Sequence, residues 1–258
     1  MDSFLNPFKR GLLEQRRQVG LWMTTGSATL TEIAAGGGLD WLLIDMEHSP
    51  NDLISVVDHL RAAASTTTEA VVRVPWNEPV LVKRLLDQGA RSLMFPFVQT
   101  ADEARRAVAA TRYPPQGIRG FAGTSRATDY GRRSNYPAQS AEEICVVVQL
   151  ETPEALRAAR DIAGVEGVDG VFIGPADLAA NMGHLGNPGA GPVQAAIREG
   201  LSAIRATGKA AGLLNFNEIA AKSDFEAGFS FVAVSGDAFI MARGVERLVE
   251  AFRADKIV

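Results

Sequence analysis

Charged and imidazole side chains stand directly at the ends of short apolar runs in this 258-residue chain. Asp45, Glu47 and His48 follow Trp41-Leu-Leu-Ile, and Arg73 sits inside Ala70-Val-Val-Arg-Val74. Gln149 and Glu151 close the run that begins at Ile144, and Asp177 ends the turn Gly174-Pro175-Ala176-Asp177. Polar groups at the ends of buried strands are badly placed for packing, which makes the set a candidate for chemistry. Glu151 and Asp177, two carboxylates without a histidine beside them, suit a hard cation such as Mg2+ or Mn2+ that keeps water or substrate ligands. The plainer alternative has Glu151 bonded to the next helix start and Asp177 capping its own helix.

Arg73 is a charge in an otherwise apolar strand and needs a partner. A substrate carbonyl or carboxylate is the functional choice; Asp45 or Glu47 is the structural one. His48 follows Asp45 by three residues, so the carboxylate can orient the imidazole for proton transfer. The turn at Gly174 opens a helix whose first N–H groups suit a carboxylate. His59 falls in a helical stretch and His184 in a glycine-rich loop, and both read as surface or structural. None of Lys9, Lys83, Lys209, Lys222 and Lys256 ends a strand, so a Schiff-base mechanism lacks its amine. Neither a dinucleotide-binding nor a Walker-type glycine motif occurs. A cation, an arginine, an Asp/His pair and an anion-binding turn together suit chemistry through an enolate.

These residues need a scaffold that gathers strand ends. Eight apolar runs, at 19–23, 41–45, 70–74, 92–95, 144–149, 170–173, 210–214 and 231–235, alternate with helix-like stretches. Continuous rather than alternating apolarity implies strands covered on both faces, as in a parallel sheet. Eight strand–helix units in this length predict a (β/α)8 barrel, with reactive groups at the C-terminal strand ends; an open doubly wound sheet is the rival. Residues 7–17 predict an extra helix closing the barrel bottom. Ser49-Pro50 and Thr152-Pro153 read as N-cap and first helical residue, and Thr100 with Glu103 has capping-box spacing. Gly89 and Gly228 are expected near helix ends. The long interval between 95 and 144 is expected to form an active-site wall or lid rather than a surface excursion. Residues 1–258 read as a single domain.

Composition narrows the function classes. Apolar residues make up 47% and charged residues 22%, with Lys+Arg 26 against Asp+Glu 30 and a net charge of −4. Nucleic acid is therefore a poor partner, and no apolar run is long enough to span a bilayer. The lone Cys145 excludes an internal disulfide and cysteine-rich metal sites. The first residues lack an apolar signal core, so the expected setting is cytoplasmic.

Several longer motifs carry a resemblance. They are Trp41-Leu-Leu-Ile-Asp-Met-Glu-His-Ser-Pro-Asn-Asp52, Val71-Val-Arg-Val-Pro75, Arg112-Tyr-Pro-Pro-Gln-Gly-Ile-Arg-Gly120, Val148-Gln-Leu-Glu151 and Glu166-Gly-Val-Asp-Gly-Val-Phe-Ile-Gly-Pro-Ala-Asp-Leu178. From about residue 4 to 252 the chain resembles the HpcH/HpaI aldolases, metal-dependent class II pyruvate aldolases. The resemblance implies reversible cleavage of 4-hydroxy-2-oxo acids to pyruvate and an aldehyde through a metal-stabilised enolate. It implies Glu151 and Asp177 as ligands of Mg2+, Mn2+ or Co2+, and Gln149 beside the keto acid. The backbone of Gly174, Pro175, Ala176 and Asp177 would hold the substrate carboxylate, and Arg73 the enolate. Asp45 and His48 would form the acid–base dyad, and Asp87, which alone reads as solvated, would complete a neighbouring subunit's site. A hexamer is implied, with the C-terminal helix packed on a neighbouring subunit. Met46 and the segment 121–135 depart from the family pattern and leave the aldehyde open. An oxaloacetate decarboxylase or CoA-linked acid lyase on the same enolate site is the alternative, and a non-catalytic metabolite-binding barrel is the third reading.

Overall fold

The computed structural model describes residues 6–253. Eight parallel strands close a barrel in chain order: β1 (Gln18–Met23), β2 (Trp41–Asp45), β3 (Glu69–Arg73), β4 (Ser92–Phe95), β5 (Cys145–Leu150), β6 (Gly170–Ile173), β7 (Ala210–Leu214) and β8 (Phe231–Gly236). β1 pairs with both β2 and β8, which closes the ring and removes free strand edges. The closed ring excludes the doubly wound sheet. Strands β2 to β6 are buried at every position, as continuous apolarity demands.

Large rings fill the barrel interior. Phe8 on helix α1 (Pro7–Leu13) stands 5.4 Å from the Trp41 ring and 5.6 Å from Phe231. The N-terminal helix thus plugs the bottom, as expected. Glycine makes room for these rings: a Cβ on Gly20 would lie 2.1 Å from Trp41, and one on Gly212 would lie 2.4 Å from Phe231. Each fully buried large side chain contributes about 1.5–3 kcal/mol, so this plug is a main reason the barrel closes.

The helices between strands are α2 (Ala28–Ala35), α3 (Leu53–Ala63), α4 (Pro79–Asp87), α5 (Ala101–Thr111), α6 (Tyr136–Glu143), α7 (Pro153–Arg157), α8 (Ala159–Ala163), α9 (Pro175–Asn181), α10 (Gly191–Arg205) and α11 (Glu218–Ala227). Thr152 caps α7 through Ala155 N–H as its sequence suggests. α3 differs. Its cap is Asp52, in a reciprocal capping box with Ser55, three residues beyond the expected Ser49. The Ser49 hydroxyl instead donates back to the Asp45 carbonyl, which frees residues 46–51 to form a loop at the barrel mouth. Thr100 accepts from Glu103 N–H, while the Glu103 carboxylate takes the N–H of Gln99. Gly89 (φ +92°) and Gly228 (φ +114°) supply the left-handed residues after α4 and α11.

One expectation is corrected. Segment 112–144 is not a wall of the active-site mouth. It follows helix α5, not a strand, so it starts and ends at the N-terminal face of the barrel. Arg126 Nη1 donates to Gln88 C=O at 2.8 Å, and the Glu143 carboxylate accepts the N–H of Asn6, the cap of the bottom helix. Loops entering strands face away from loops leaving them, and the latter carry the site.

The C-terminal helix, α12 (Asp237–Arg253), behaves unlike the others: Asp237 is its one buried residue. Phe239, Ile240, Met241, Val245, Leu248 and Phe252 are all exposed. Beside it, Leu21, Leu30, Ile33, Leu39 and Val234 line an apolar groove of about 650 Å³.

Candidate active site

The strand ends bring three groups into one ion cluster. Arg73 at the end of β3 donates to both oxygens of Asp45 at the end of β2, Nε to Oδ1 at 2.9 Å and Nη2 to Oδ2 at 2.7 Å. Asp45 and Arg73 are paired in register across these two strands, which puts their side chains side by side. The third guanidinium nitrogen, Nη1, lies 2.8 Å from Glu47 Oε2. That oxygen is in ion-pair contact with the guanidinium but makes no hydrogen bond. Trp22 near the end of β1 donates its indole N–H to Asp45 Oδ2 at 3.3 Å, and its ring lies 5.0 Å below the guanidinium. Burial pushes the Asp45 carboxyl up, yet the Arg73 bonds and the N–H groups of Glu47 and His48 outweigh it and hold it below its ordinary value.

A second group forms on β5 and β6. Gln149 Nε2 donates to Glu151 Oε1 at 2.6 Å, and the Phe97 N–H donates to Glu151 Oε2 at 2.9 Å. Phe97 adopts φ +53°, a strained conformation for a bulky residue, and this aims its N–H at the carboxylate. Gly174 packs against both side chains; a Cβ there would stand 2.6 Å from Glu151 Oε1 and 2.8 Å from Gln149 Nε2. Only glycine leaves this cradle open. The buried Gln149 Oε1 has no partner, and no side chain caps the N-terminus of α9 at Gly174. Burial, followed by the charges of Glu47 and Asp177, pushes Glu151 up to about 7.

The remaining residues lie apart. His48 projects into solvent with 63% of its side chain exposed, and its Nε2 is 4.0 Å from Glu47 Oε1. Asp45 accepts the backbone N–H of His48, at 3.4 Å, and its carboxylate is committed to Arg73. The expected Asp45–imidazole contact is therefore not made, since the buried guanidinium is the stronger partner. Asp87 ends α4 at the far end from the mouth and pairs with the buried Arg119 at 2.9 Å. Within one chain it does not reach Glu151. Trp22 and Phe97 carry no charge and so escape a search for charged residues at strand ends. For Trp22 the clue is its place near the end of β1; for Phe97 it is a main-chain group that acts.

Four carboxyl groups, Asp45, Glu47, Glu151 and Asp177, share this mouth with one guanidinium, and the charges of Glu47 and Asp177 act on Glu151. Among the described residues no group of three or more His, Cys, Asp or Glu is arranged to hold a metal alone. Two carboxylates plus outside ligands is what a hard cation accepts. The donors fit such an ion: Glu151 is destabilised as an anion, and Gln149 Oε1 and Glu47 Oε2 are under-bonded acceptors. The HpcH/HpaI aldolase/citrate lyase family model matches residues 18–244. The chain belongs to that family. It is 50% identical over 252 residues, 97% of this chain and 96% of the relative, to a 4-hydroxy-2-oxo-heptane-1,7-dioate aldolase of Salmonella heidelberg (strain SL476). A crystal structure of an HpcH/HpaI aldolase/citrate lyase family protein from Burkholderia cenocepacia J2315 superposes with a TM-score of 0.94 at 41% identity, covering 96% of this chain and 99% of that one. An HpcH/HpaI aldolase from Desulfitobacterium hafniense DCB-2 follows with a TM-score of 0.88 at 27% identity, covering 95% and 96%. As a member of the HpcH/HpaI family the chain is a lyase of the aldolase type.

Proposed function

We propose that this family member cleaves 4-hydroxy-2-oxo acids reversibly to pyruvate and an aldehyde, with a divalent cation held by Glu151 and Asp177. The observation that carries this reading is the Glu151 site: a buried carboxylate pushed up to about 7 by burial and by Glu47 and Asp177, with Arg73 across the mouth. When bound, the cation supplies Lewis-acid polarisation of the keto oxygen.

The chain's own groups do the rest. The free N–H groups of Ala176 and Asp177 at the start of α9 hold the substrate carboxylate, and Gln149 sits beside the keto acid. His48, exposed at the rim, takes the proton of the C4 hydroxyl, directly or through water. As the C3–C4 bond breaks, its electron pair moves onto the keto acid and the aldehyde leaves. Arg73, locked in place by Asp45 and Glu47, faces the developing enolate oxygen. A proton then returns to C3 to give pyruvate. Asp45 serves this scheme by fixing Arg73 and the backbone of His48.

Oligomerisation belongs to the same reading. The exposed apolar face of α12 and the groove beside it support packing on a neighbouring subunit; a hexamer in which Asp87 approaches a neighbour's site is the arrangement the family resemblance implies. The chosen test offers pyruvate, Mn2+ and a panel of aldehydes, and follows 4-hydroxy-2-oxo acid formation. Condensation with at least one aldehyde supports the reading; oxaloacetate turnover with none replaces it by the decarboxylase alternative.

A further inference from the structure

We infer that His59 is a positioning residue, which fixes through Asn51 the loop carrying Glu47 and His48; this rests on the lyase reading of that loop. His59 lies on α3, is fully buried, and engages both ring nitrogens. Nε2 is 2.9 Å from Asn51 Oδ1, and Nδ1 is 2.6 Å from Thr31 Oγ1 on α2. Asn51 Nδ2 donates to the Asp45 carbonyl at 2.8 Å and to Ser49 Oγ at 2.9 Å. Its Oδ1 also accepts the Ser55 hydroxyl at 3.2 Å.

The chemistry of these groups gives the chain one direction. The Asp45 carbonyl can only accept, so Asn51 turns its NH2 toward Asp45 and its oxygen toward His59. An oxygen there requires the proton on Nε2. Nδ1 then keeps a lone pair, which accepts the Thr31 hydroxyl. The other acceptor within reach of that hydroxyl, Ser27 C=O, is at 3.5 Å and competes poorly. Burial holds His59 below the ordinary imidazole value, against the opposing charges of Asp237 and Asp58, which keeps the ring neutral.

The consequence falls on one side of the site. Residues 46–50 have no regular structure; the N–H groups of Met46, Glu47 and His48 bond to Arg73 and Asp45 at one end, and Asn51 holds the other end of the loop. Slack at Asn51 lets His48 drift, and an ångström of misplacement is enough to cost rate. The keto-acid side, with Glu151 just past β5 and Asp177 on α9, is not reached by any of these bonds.

The test compares His59→Leu, which removes both ring contacts, with His59→Gln, whose amide can still donate to Asn51. Turnover of folded His59→Leu should fall by about 10- to 100-fold, with KM for pyruvate unchanged, and His59→Gln should recover most of it. Nitrogen-15 spectra of the unmodified protein should show the neutral ring protonated at Nε2. If His59→Leu does not fold, Thr31→Val, which replaces the hydroxyl by a methyl, should leave the proton on Nε2, where Asn51 requires it, but free the ring on its Nδ1 side and lower turnover. Unmodified turnover in folded His59→Leu, or a ring protonated at Nδ1, overturns the inference. An unmodified protein without aldol activity would instead remove the lyase reading and leave the tautomer result standing.

Discussion

Arg73 and Asp45 face each other across two adjacent strands and share two hydrogen bonds, 2.9 and 2.7 Å long, both partners buried. A fork of this kind fixes a guanidinium in direction as well as position. It also gives Arg73 a structural duty besides its proposed chemical one. Arg73→Lys keeps the charge but loses the fork, and turnover in aldol cleavage should drop at least ~100-fold, the scale of losing an oxyanion partner. Arg73→Ala should in addition lower stability by about 3–5 kcal/mol, because Asp45 is left buried without its counter-ion. Steady-state kinetics and urea unfolding of the two variants separate the effects.

His48 is exposed, so its removal should leave the fold intact. His48→Ala is expected to unfold at the same urea concentration as the unmodified protein while its turnover falls ~100-fold, typical of a lost acid–base group. A variant that still cleaves at close to the full rate would take the proton-transfer role away from this side chain.

Glu151 makes the cation-free protein sensitive to pH. Its carboxyl is raised to about 7, chiefly by burial and then by Glu47 and Asp177, whereas in the unfolded chain it titrates near the ordinary value. Between these two values the folded state holds a proton that the unfolded state has lost, so stability falls as pH rises through this window. The whole effect is on the order of 3 kcal/mol. Thermal unfolding in EDTA should give a lower Tm at pH 8 than at pH 5.5, and Glu151→Gln should flatten that difference. Added Mn2+ should raise Tm more at pH 8, where the carboxylate is already ionised.

Activity should follow the cation. Exhaustive treatment with EDTA is expected to abolish aldol cleavage, and Mg2+, Mn2+ or Co2+ to restore it. Asp177→Asn and Glu151→Gln should each need higher Mn2+ for half-maximal rate. Full activity after chelation would dismiss the cation altogether.

The exposed face of α12 is expected to hold an interface. Leu248→Asp combined with Val245→Asp puts charge on that face without touching the barrel. Sedimentation velocity should show an oligomer for the unmodified chain and a smaller species for the double variant. A monomer in both would leave the apolar face without a subunit partner.

Sequence and structure decided different things about this protein. Continuous apolar runs with polar residues at their ends, from 19–23 to 231–235, pointed to strands covered on both faces, and their number favoured a barrel over a doubly wound sheet, which the closed ring then excluded. The same runs named Asp45, Arg73, Gln149 and Glu151, because strand periodicity is local and survives without knowledge of neighbours. What the chain could not announce was who pairs with whom. Asp45 reads as a partner for His48 three residues away, yet strand register gives it to Arg73, and a buried guanidinium wins over an exposed imidazole. His59 reads as surface or structural, and only the packing of α2 on α3, which buries it between Thr31 and Asn51, decides for the second. Segment 112–144 lies at the bottom because it leaves a helix, a matter of direction around the barrel rather than of composition. Phe97 enters the site through a backbone N–H that any residue carries, so only folding could reveal it. Local periodicity is written in the sequence; long-range pairing and burial are settled only when distant strands and helices compete for the same few polar groups.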